Sequence, residues 1–249
     1  MNERAPEQLK PNAPRRSSLV VAAVQPPCSG DLYESARIHA AAICYAHAHL
    51  VVFPELSLTG YELDTTALTT DDVAFQPIQQ ACAAAGSIAL VGAPVLGSAG
   101  IRSIATVRVT PRGVDVVYRK MSLGGAEPDR FSPGDEPAIL LLDGWRVGLG
   151  ICKDVHTDGH IRATVSLGID AYIAGVVHRP EDLDRQQARG AAIARAHHIA
   201  VVFASCAAAT GWGFDRTAGH STIWSPDGAV LDEAGVETSD SAKATLTLS

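Results

Sequence analysis

Three polar residues, each placed directly after an apolar stretch, could together carry out nucleophilic catalysis. Glu55 follows LVVFP, Lys120 ends VVYRK, and Cys152 ends WRVGLGIC. A nucleophilic thiol needs a base to remove its proton and a positive group to stabilise the oxyanion that forms. The apolar stretches predict strands, and ligands gather at the carboxyl ends of strands in α/β sheets. We therefore expect these three side chains to converge.

Each of the three residues also has a simpler structural interpretation. Glu55 alone is a solvated or helix-capping acid, Lys120 alone is the solvated end of a strand, and Cys152 alone is a buried residue that completes one. A cysteine at a strand-to-helix turn can instead lie near helix N-terminal N–H groups, which lower a thiol pKa and bind an oxyanion. The catalytic hypothesis depends on the three residues occurring together.

The elements that must position these residues combine strand and helix patterns. Apolar runs bounded by turn residues predict strands. They are expected at 18–25, 49–53, 87–94, 101–110, 113–119, 137–142, 145–151, 170–177, 199–205, 219–225, 228–233 and 243–248. Helices are expected within 31–49, 71–86 and 180–198, the first opening with Asp31 and Glu34 in capping-box spacing. This order predicts a single α/β domain over residues 18–249 with more than one sheet.

Composition favours a soluble protein over a nucleic-acid or membrane protein. The 249 residues are 47% hydrophobic and 19% charged, with a net charge of −7 that argues against a nucleic-acid surface. The longest apolar runs are too short to span a bilayer. Residues 1–17 are rich in proline and charge, which predicts a disordered N-terminal tail. We expect a cytoplasmic protein without nucleic-acid or membrane partners.

The cysteines argue against a disulfide framework or a zinc site. There are five of them, an odd number, and they are scattered without a CxxC pair. Most are expected to be buried apolar residues. We therefore predict no metal site.

Three blocks of the sequence carry the candidate residues in a fixed order: FPELSLTGY, the RK pair with its downstream F.PG loop, and GLGIC.D. These blocks resemble the signature blocks of the nitrilase, or carbon–nitrogen hydrolase, superfamily, in its amidase-like branch. A later stretch, GHSTIWSPDGAVLDEAG, is similar to a strand pair of that superfamily. The resemblance covers residues 18–249. It implies an α/β fold of four layers, an αββα sandwich with two mixed β-sheets packed face to face, and assembly as a homodimer or larger homo-oligomer.

The same resemblance implies catalytic roles for four residues. Glu55 corresponds to the general base, Lys120 to the catalytic lysine and Cys152 to the nucleophile, while Glu127 lies near a second glutamate of many members. The implied reaction is hydrolysis of a non-peptide C–N bond through a thioester, releasing ammonia or an amine. It needs no metal or organic cofactor. The implied substrate is a small linear amide or an N-carbamoyl compound.

Two residues that depart from the family pattern are candidates for substrate binding. Lys153, beside the nucleophile, is predicted to bind a substrate carboxylate or lower the thiol pKa. Its alternative is an outward-pointing lysine or a pair with Asp154. His178 is predicted to line the pocket, with a surface position as its alternative.

Other functions stay open from the sequence alone. One is a catalytically silent binding or assembly subunit that keeps the fold. Another is a papain-like Cys–His enzyme, which would need a histidine within hydrogen-bonding distance of Cys152. Nitrile hydrolysis is disfavoured because true nitrilases usually have Trp-Glu after the cysteine. Acyl transfer is disfavoured because the chain shows no membrane segment.

Overall fold

A computed structural model describes residues 16–248. Residues 1–15 of the predicted tail therefore lie outside the described residues. Arg16, also within the predicted tail, contacts the folded part of the chain. Its N–H donates to Asp143 O at 2.9 Å, and its carbonyl accepts from Trp145 Nε1 at 3.0 Å. The chain is thus attached to a neighbouring turn before the first strand begins.

The described part of the chain contains twelve strands and four α-helices. The strands are β1 (Ser18–Val24), β2 (Leu50–Val52), β3 (Ile88–Leu96), β4 (Arg102–Thr110), β5 (Gly113–Arg119), β6 (Ile139–Leu142), β7 (Trp145–Ile151), β8 (Ala171–Val176), β9 (Ala200–Ser205), β10 (Thr222–Trp224), β11 (Val230–Glu233) and β12 (Ser241–Thr247). The helices are α1 (Leu32–Ala46), α2 (Phe75–Ala85), α3 (Asp158–Ser166) and α4 (Leu183–His197). All of the predicted strands are present, with shifts at their ends.

The strands form two mixed sheets of six strands each. The first has the order β12-β1-β2-β3-β4-β5, and the second has the order β11-β10-β9-β8-β7-β6. The inner strands β1, β2 and β3 are parallel neighbours in the first sheet, as are β7, β8 and β9 in the second. Two antiparallel pairings bring β5 back to the direction of β3. The strands preceding Glu55 and Lys120 therefore end at the same edge of the first sheet.

Side-chain alternation along the strands explains the layered packing. Leu19, Val21 and Ala23 on β1 face the core between the two sheets, whereas Ala22 and Val24 belong to a second core against α1 and α2. This period of two is what a strand buried on both faces requires. A third core lies between the second sheet and α3 and α4. The result is the predicted αββα sandwich.

Local signals account for the helix ends. Asp31 accepts a hydrogen bond from Glu34 N at 2.8 Å, as the capping-box spacing predicted. Pro77 lies in the first turn of α2, where a backbone N–H has no intrahelical acceptor, so the helix runs through it. Gly86 ends α2 with φ 65°, a left-handed conformation that glycine adopts readily. No helix among the described residues is long and apolar enough to cross a membrane.

Candidate active site

The turn that carries Glu55 passes between two glycines, one from each sheet. A Cβ added to Gly92 on β3 would lie 2.2 Å from Pro54 O, and one added to Gly175 on β8 would lie 2.7 Å from Phe53 O and 2.9 Å from Glu55 N. Contacts this short would force the backbone to move. Because glycine has no side chain, both sheets can pack against the backbone segment that positions Glu55.

Lys120 places a buried ammonium group between two buried carboxylates. Its Nζ donates to Glu55 Oε1 at 2.6 Å and to Glu127 Oε1 at 2.7 Å. The three side chains are at most 1% exposed. Backbone bonds hold the lysine, since Lys120 N donates to Ile104 O and Gly134 N donates to Lys120 O, both at 2.8 Å. A buried charge is tolerated only with such partners, so the three groups fix one another.

Glu127 is fixed in turn by its own loop and by a tyrosine. Gly124 N donates to Glu127 Oε2 at 2.8 Å, and Tyr61 OH donates to Glu127 Oε1. The Tyr61 backbone N–H bonds to Thr210. Sequence reasoning gave Tyr61 no role, although this residue ends the FPELSLTGY block. Its partner could not be identified before the loop carrying Glu127 was placed.

Cys152 occupies a strained turn at the end of β7, where a short 3₁₀-helix (Cys152–His156) begins. Its φ is 42°, in the left-handed region that non-glycine residues rarely adopt. Strain of this kind costs roughly 1–3 kcal/mol and clusters at functional sites. The turn resembles the strand-to-helix elbow that exposes a nucleophile at a sheet edge. The Sγ donates to Val177 O at 3.4 Å.

The electrostatics of the site separate the roles of its ionisable groups. Burial, reinforced by Glu127, raises the pKa of Glu55 to about 7, although Lys120 opposes the shift. Burial alone would lower the pKa of Lys120, but Glu55, Cys152 and Glu127 together raise it, so the lysine stays charged. Burial and then Glu55 raise the pKa of the Cys152 thiol, against the opposing effect of Lys120. The resting group is thus a thiol that needs a base.

One atom is free to take up that proton. Glu55 Oε2 is buried and accepts no hydrogen bond from any described residue. Cys152 is near enough to Glu55 for the carboxylate to raise the pKa of the thiol. The structure therefore brings Glu55, Lys120, Glu127 and Cys152 into one cluster.

The two predicted substrate-binding residues, Lys153 and His178, contact residues outside this cluster. Lys153 is exposed, and its Nζ donates to Leu123 O at 2.6 Å rather than pairing with Asp154. His178 is buried, and its Nε2 lies 3.3 Å from His156 Nε2. Burial, reinforced by His156, lowers the pKa of His178 to about 4. Neither side chain hydrogen-bonds to the four clustered residues, as far as the structure describes the chain.

The environment of the thiol also bears on the papain-like alternative. That mechanism requires a histidine bonded to the nucleophile. Across residues 16–248, the hydrogen bond made by Cys152 Sγ goes to the Val177 carbonyl, and the ionisable side chains that act on it are Glu55, Lys120 and Glu127. A carboxylate–lysine–thiol arrangement fits these contacts, and a Cys–His pair does not.

Comparison with known proteins identifies relatives of this chain. The family model described as carbon-nitrogen hydrolase matches residues 20–249. The (R)-stereoselective amidase of a Pseudomonas species is 33% identical over 215 residues, covering 81% of this chain and 74% of that protein. A Pseudomonas protegens protein described as "Hydrolase in pqqF 5'region" is 28% identical over 221 residues, covering 81% of this chain and 73% of that protein.

Solved structures share the fold. A branch 10 member of the nitrilase superfamily from Saccharomyces cerevisiae has a TM-score of 0.82 at 20% identity, covering 94% of this chain and 91% of that chain. An amidase from Nesterenkonia sp. has a TM-score of 0.80 at 22% identity, covering 96% and 94%. A mutant of a Nesterenkonia amidase carries the acetamide moiety of fluoroacetamide on its active-site cysteine. Its TM-score is 0.79 at 20% identity, and the match covers 96% of this chain and 94% of that chain. These likenesses agree with the sandwich described above.

The glycine contacts around Glu55 generate a stability prediction. Gly175→Ala should lower the free energy of unfolding by about 1–3 kcal/mol, because its Cβ would overlap the backbone of the Glu55 turn. Gly159→Ala in α3 is the matched control, since a Cβ there meets nothing within 4 Å. Urea denaturation of both variants measures the difference. Equal stability of the two variants would contradict the close approach of the sheets at Glu55.

Proposed function

Because the chain belongs to the carbon–nitrogen hydrolase family, whose members act on non-peptide C–N bonds, we propose that it hydrolyses a small linear amide or an N-carbamoyl compound with Cys152 as nucleophile. The observation that carries this proposal is the Lys120 ammonium held between Glu55 and Glu127 beside the thiol. These groups supply a base, a fixed positive charge and a nucleophile.

The first half of the reaction forms a thioester. Ionised Glu55 takes the thiol proton on its free Oε2 as Cys152 Sγ attacks the amide carbonyl carbon. The Lys120 ammonium and the Lys153 backbone N–H stabilise the oxyanion of the tetrahedral intermediate. When the C–N bond breaks, Glu55 gives the proton to the leaving nitrogen, and ammonia or an amine departs.

The second half regenerates the enzyme. Glu55, again ionised, takes a proton from a water molecule, which attacks the thioester carbonyl carbon. The second tetrahedral intermediate collapses with cleavage of the C–S bond. Cys152 leaves as a thiolate and recovers its proton from Glu55, and the carboxylic or carbamic acid product is released.

Lys120 and Glu127 act without exchanging a proton in this scheme. The raised pKa of Lys120 keeps its ammonium charged through both oxyanions. Glu127, which also accepts from Gly124 N and Tyr61 OH, orients that ammonium. Because removing one oxyanion donor costs about 10²–10³ in rate, the position of Lys120 is expected to matter most to kcat.

The relatives and the burial of the site support an amide substrate of small size. The Pseudomonas relative is an amidase, and the Nesterenkonia amidase mutant accepts an acetamide group on its cysteine. Glu55, Lys120 and Glu127 are at most 1% exposed, which favours a compact substrate. A catalytically silent subunit is disfavoured because every required group is present. Assembly as a homodimer or larger homo-oligomer and a cytoplasmic location remain predictions.

The raised pKa of Glu55 predicts the pH dependence of the reaction. A general base works only when ionised, so kcat/KM should rise with pH through about 7, where Glu55 loses its proton. Glu127→Gln should move this midpoint to lower pH, because the charge of Glu127 raises the Glu55 pKa. The exposed Glu34→Gln is the control and should leave the midpoint unchanged. A midpoint at the ordinary carboxylate pKa in the unmutated protein would contradict the raised pKa of Glu55, and a midpoint that Glu127→Gln leaves unchanged would contradict the assignment of Glu55 as the titrating base.

The proposed activity is tested by an ammonia-release screen over linear amides, N-carbamoyl amino acids and nitriles. At least one amide or carbamoyl compound should be hydrolysed, and Cys152→Ala should abolish the release. Cys44→Ala, which changes an exposed thiol on α1, is the matched control and should retain full activity. Turnover that survives in Cys152→Ala would overturn the proposal. Ammonia release from nitriles alone would show that the substrate is a nitrile and not an amide or a carbamoyl compound.

A further inference from the structure

A third buried carboxylate, outside the proposed catalytic groups, lies two residues after the nucleophile. Asp154 is 0% exposed. Its Oδ1 accepts from Ser122 N at 2.8 Å, and its Oδ2 accepts from Tyr118 OH at 2.7 Å and from Ile151 N at 3.1 Å. Among the described residues it forms no ion pair, so these three donors stabilise its charge. We name Asp154 and these three donors the Asp154 clamp.

The three donors come from the chain segments that carry the nucleophile and the lysine. Ile151 directly precedes Cys152. Tyr118 and Ser122 stand two residues before and two residues after Lys120. The second sheet supplies the first segment, and the first sheet supplies the other. One carboxylate thus joins the Cys152 turn to the end of β5 across the interface between the sheets.

A directional chain of hydrogen bonds supports the clamp from behind. Tyr118 has one hydroxyl proton and donates it to Asp154, so its oxygen accepts from His160 Nε2 at 2.9 Å. His160 Nδ1 is then free to accept from Tyr172 OH, at 3.4 Å. Burial lowers the pKa of His160, which favours the neutral ring that this pattern requires. Every donor in this series of hydrogen bonds therefore has an acceptor.

We propose that Asp154 is a positioning residue that sets the distance between Cys152 and Lys120, an inference that rests on the proposed function. The Cys152 turn has φ 42° and would relax without an external constraint. The oxyanion must meet the Lys120 ammonium while its carbon is bonded to Cys152 Sγ. A displacement of about 1 Å in such a geometry can cost 10²-fold in rate. The clamp resists that displacement by holding both backbones.

Asp154→Asn is the main test because it keeps the shape and removes one acceptor. Its amide nitrogen must face Ser122 N or Ile151 N, and the facing backbone N–H then loses its partner. We expect kcat to fall by about 10²-fold with KM little changed. Tyr118→Phe keeps both backbone bonds and should give a smaller fall in kcat. If Asp154→Asn does not fold, Tyr118→Phe tests the proposal alone.

The rate at which iodoacetamide alkylates Cys152, followed against pH, separates positioning from stability. Glu55, Lys120 and Glu127 are the charged groups that act on the thiol, and the clamp fixes the distance of Lys120 from it. Both clamp variants should therefore change the pH dependence of Cys152 alkylation, and Tyr118→Phe should do so without altering any charge near the thiol. Tyr172→Phe removes a buried hydroxyl that belongs to the same series of hydrogen bonds but lies outside the Asp154 clamp. This control should lower the unfolding temperature and leave the alkylation profile unchanged.

The outcomes distinguish the two proposals. If the clamp variants lose thermal stability as Tyr172→Phe does, with unchanged kcat and alkylation profiles, Asp154 is structural and the positioning proposal is overturned. If the unmutated protein neither hydrolyses amides nor shows selective alkylation of Cys152, the proposed function itself fails. If the unmutated protein hydrolyses an amide and the clamp variants have a lower kcat and changed alkylation profiles, the proposed function and the positioning proposal are both supported.

Discussion

The buried positive charge of Lys120 is the interaction on which the site depends. Its ammonium lies 2.6 Å from one buried carboxylate oxygen and 2.7 Å from another. Two carboxylates around one cation leave an excess negative charge in a medium that solvates it poorly. Burial therefore raises the pKa of Glu55 to about 7, while Lys120 stays charged. The same arrangement that makes the buried lysine tolerable supports the proposed role of Glu55 as the group that exchanges protons.

The packing of the two sheets creates this arrangement. Lys120 and Glu55 follow strands of the first sheet, whereas Cys152 follows a strand of the second. The core between the sheets holds these strand ends together, and Gly92 and Gly175 let the Glu55 turn fit between them. Strain at Cys152 is stored in the same place, where surrounding contacts can maintain it. The site is therefore a property of the sandwich and of no single segment.

Local patterns in the sequence predicted an α/β domain with more than one sheet and the convergence of Glu55, Lys120 and Cys152, whereas the family resemblance implied the four layers and the role of Glu127. A continuous apolar run, as in β1, marks a strand buried on both faces, and polar residues at strand ends mark a site edge. Such patterns do not predict contacts between distant segments of the chain. Tyr61 meets Glu127 through the loop that follows β5, and Asp154 meets Ser122 only where the two sheets pack together. The pocket roles of Lys153 and His178 stay predictions, because they depend on side-chain directions that a position beside the nucleophile or after a strand does not give.

The central claim is that Cys152 forms a covalent thioester within this cluster. Rapid quenching of the protein with a slowly hydrolysed amide, followed by intact mass measurement and peptide mapping, tests it directly. We expect a transient mass increase equal to the acyl group, located on the peptide that contains Cys152. We also expect the increase to disappear as product forms. Steady turnover with no adduct under fast quenching, or an adduct on another cysteine, would contradict the claim.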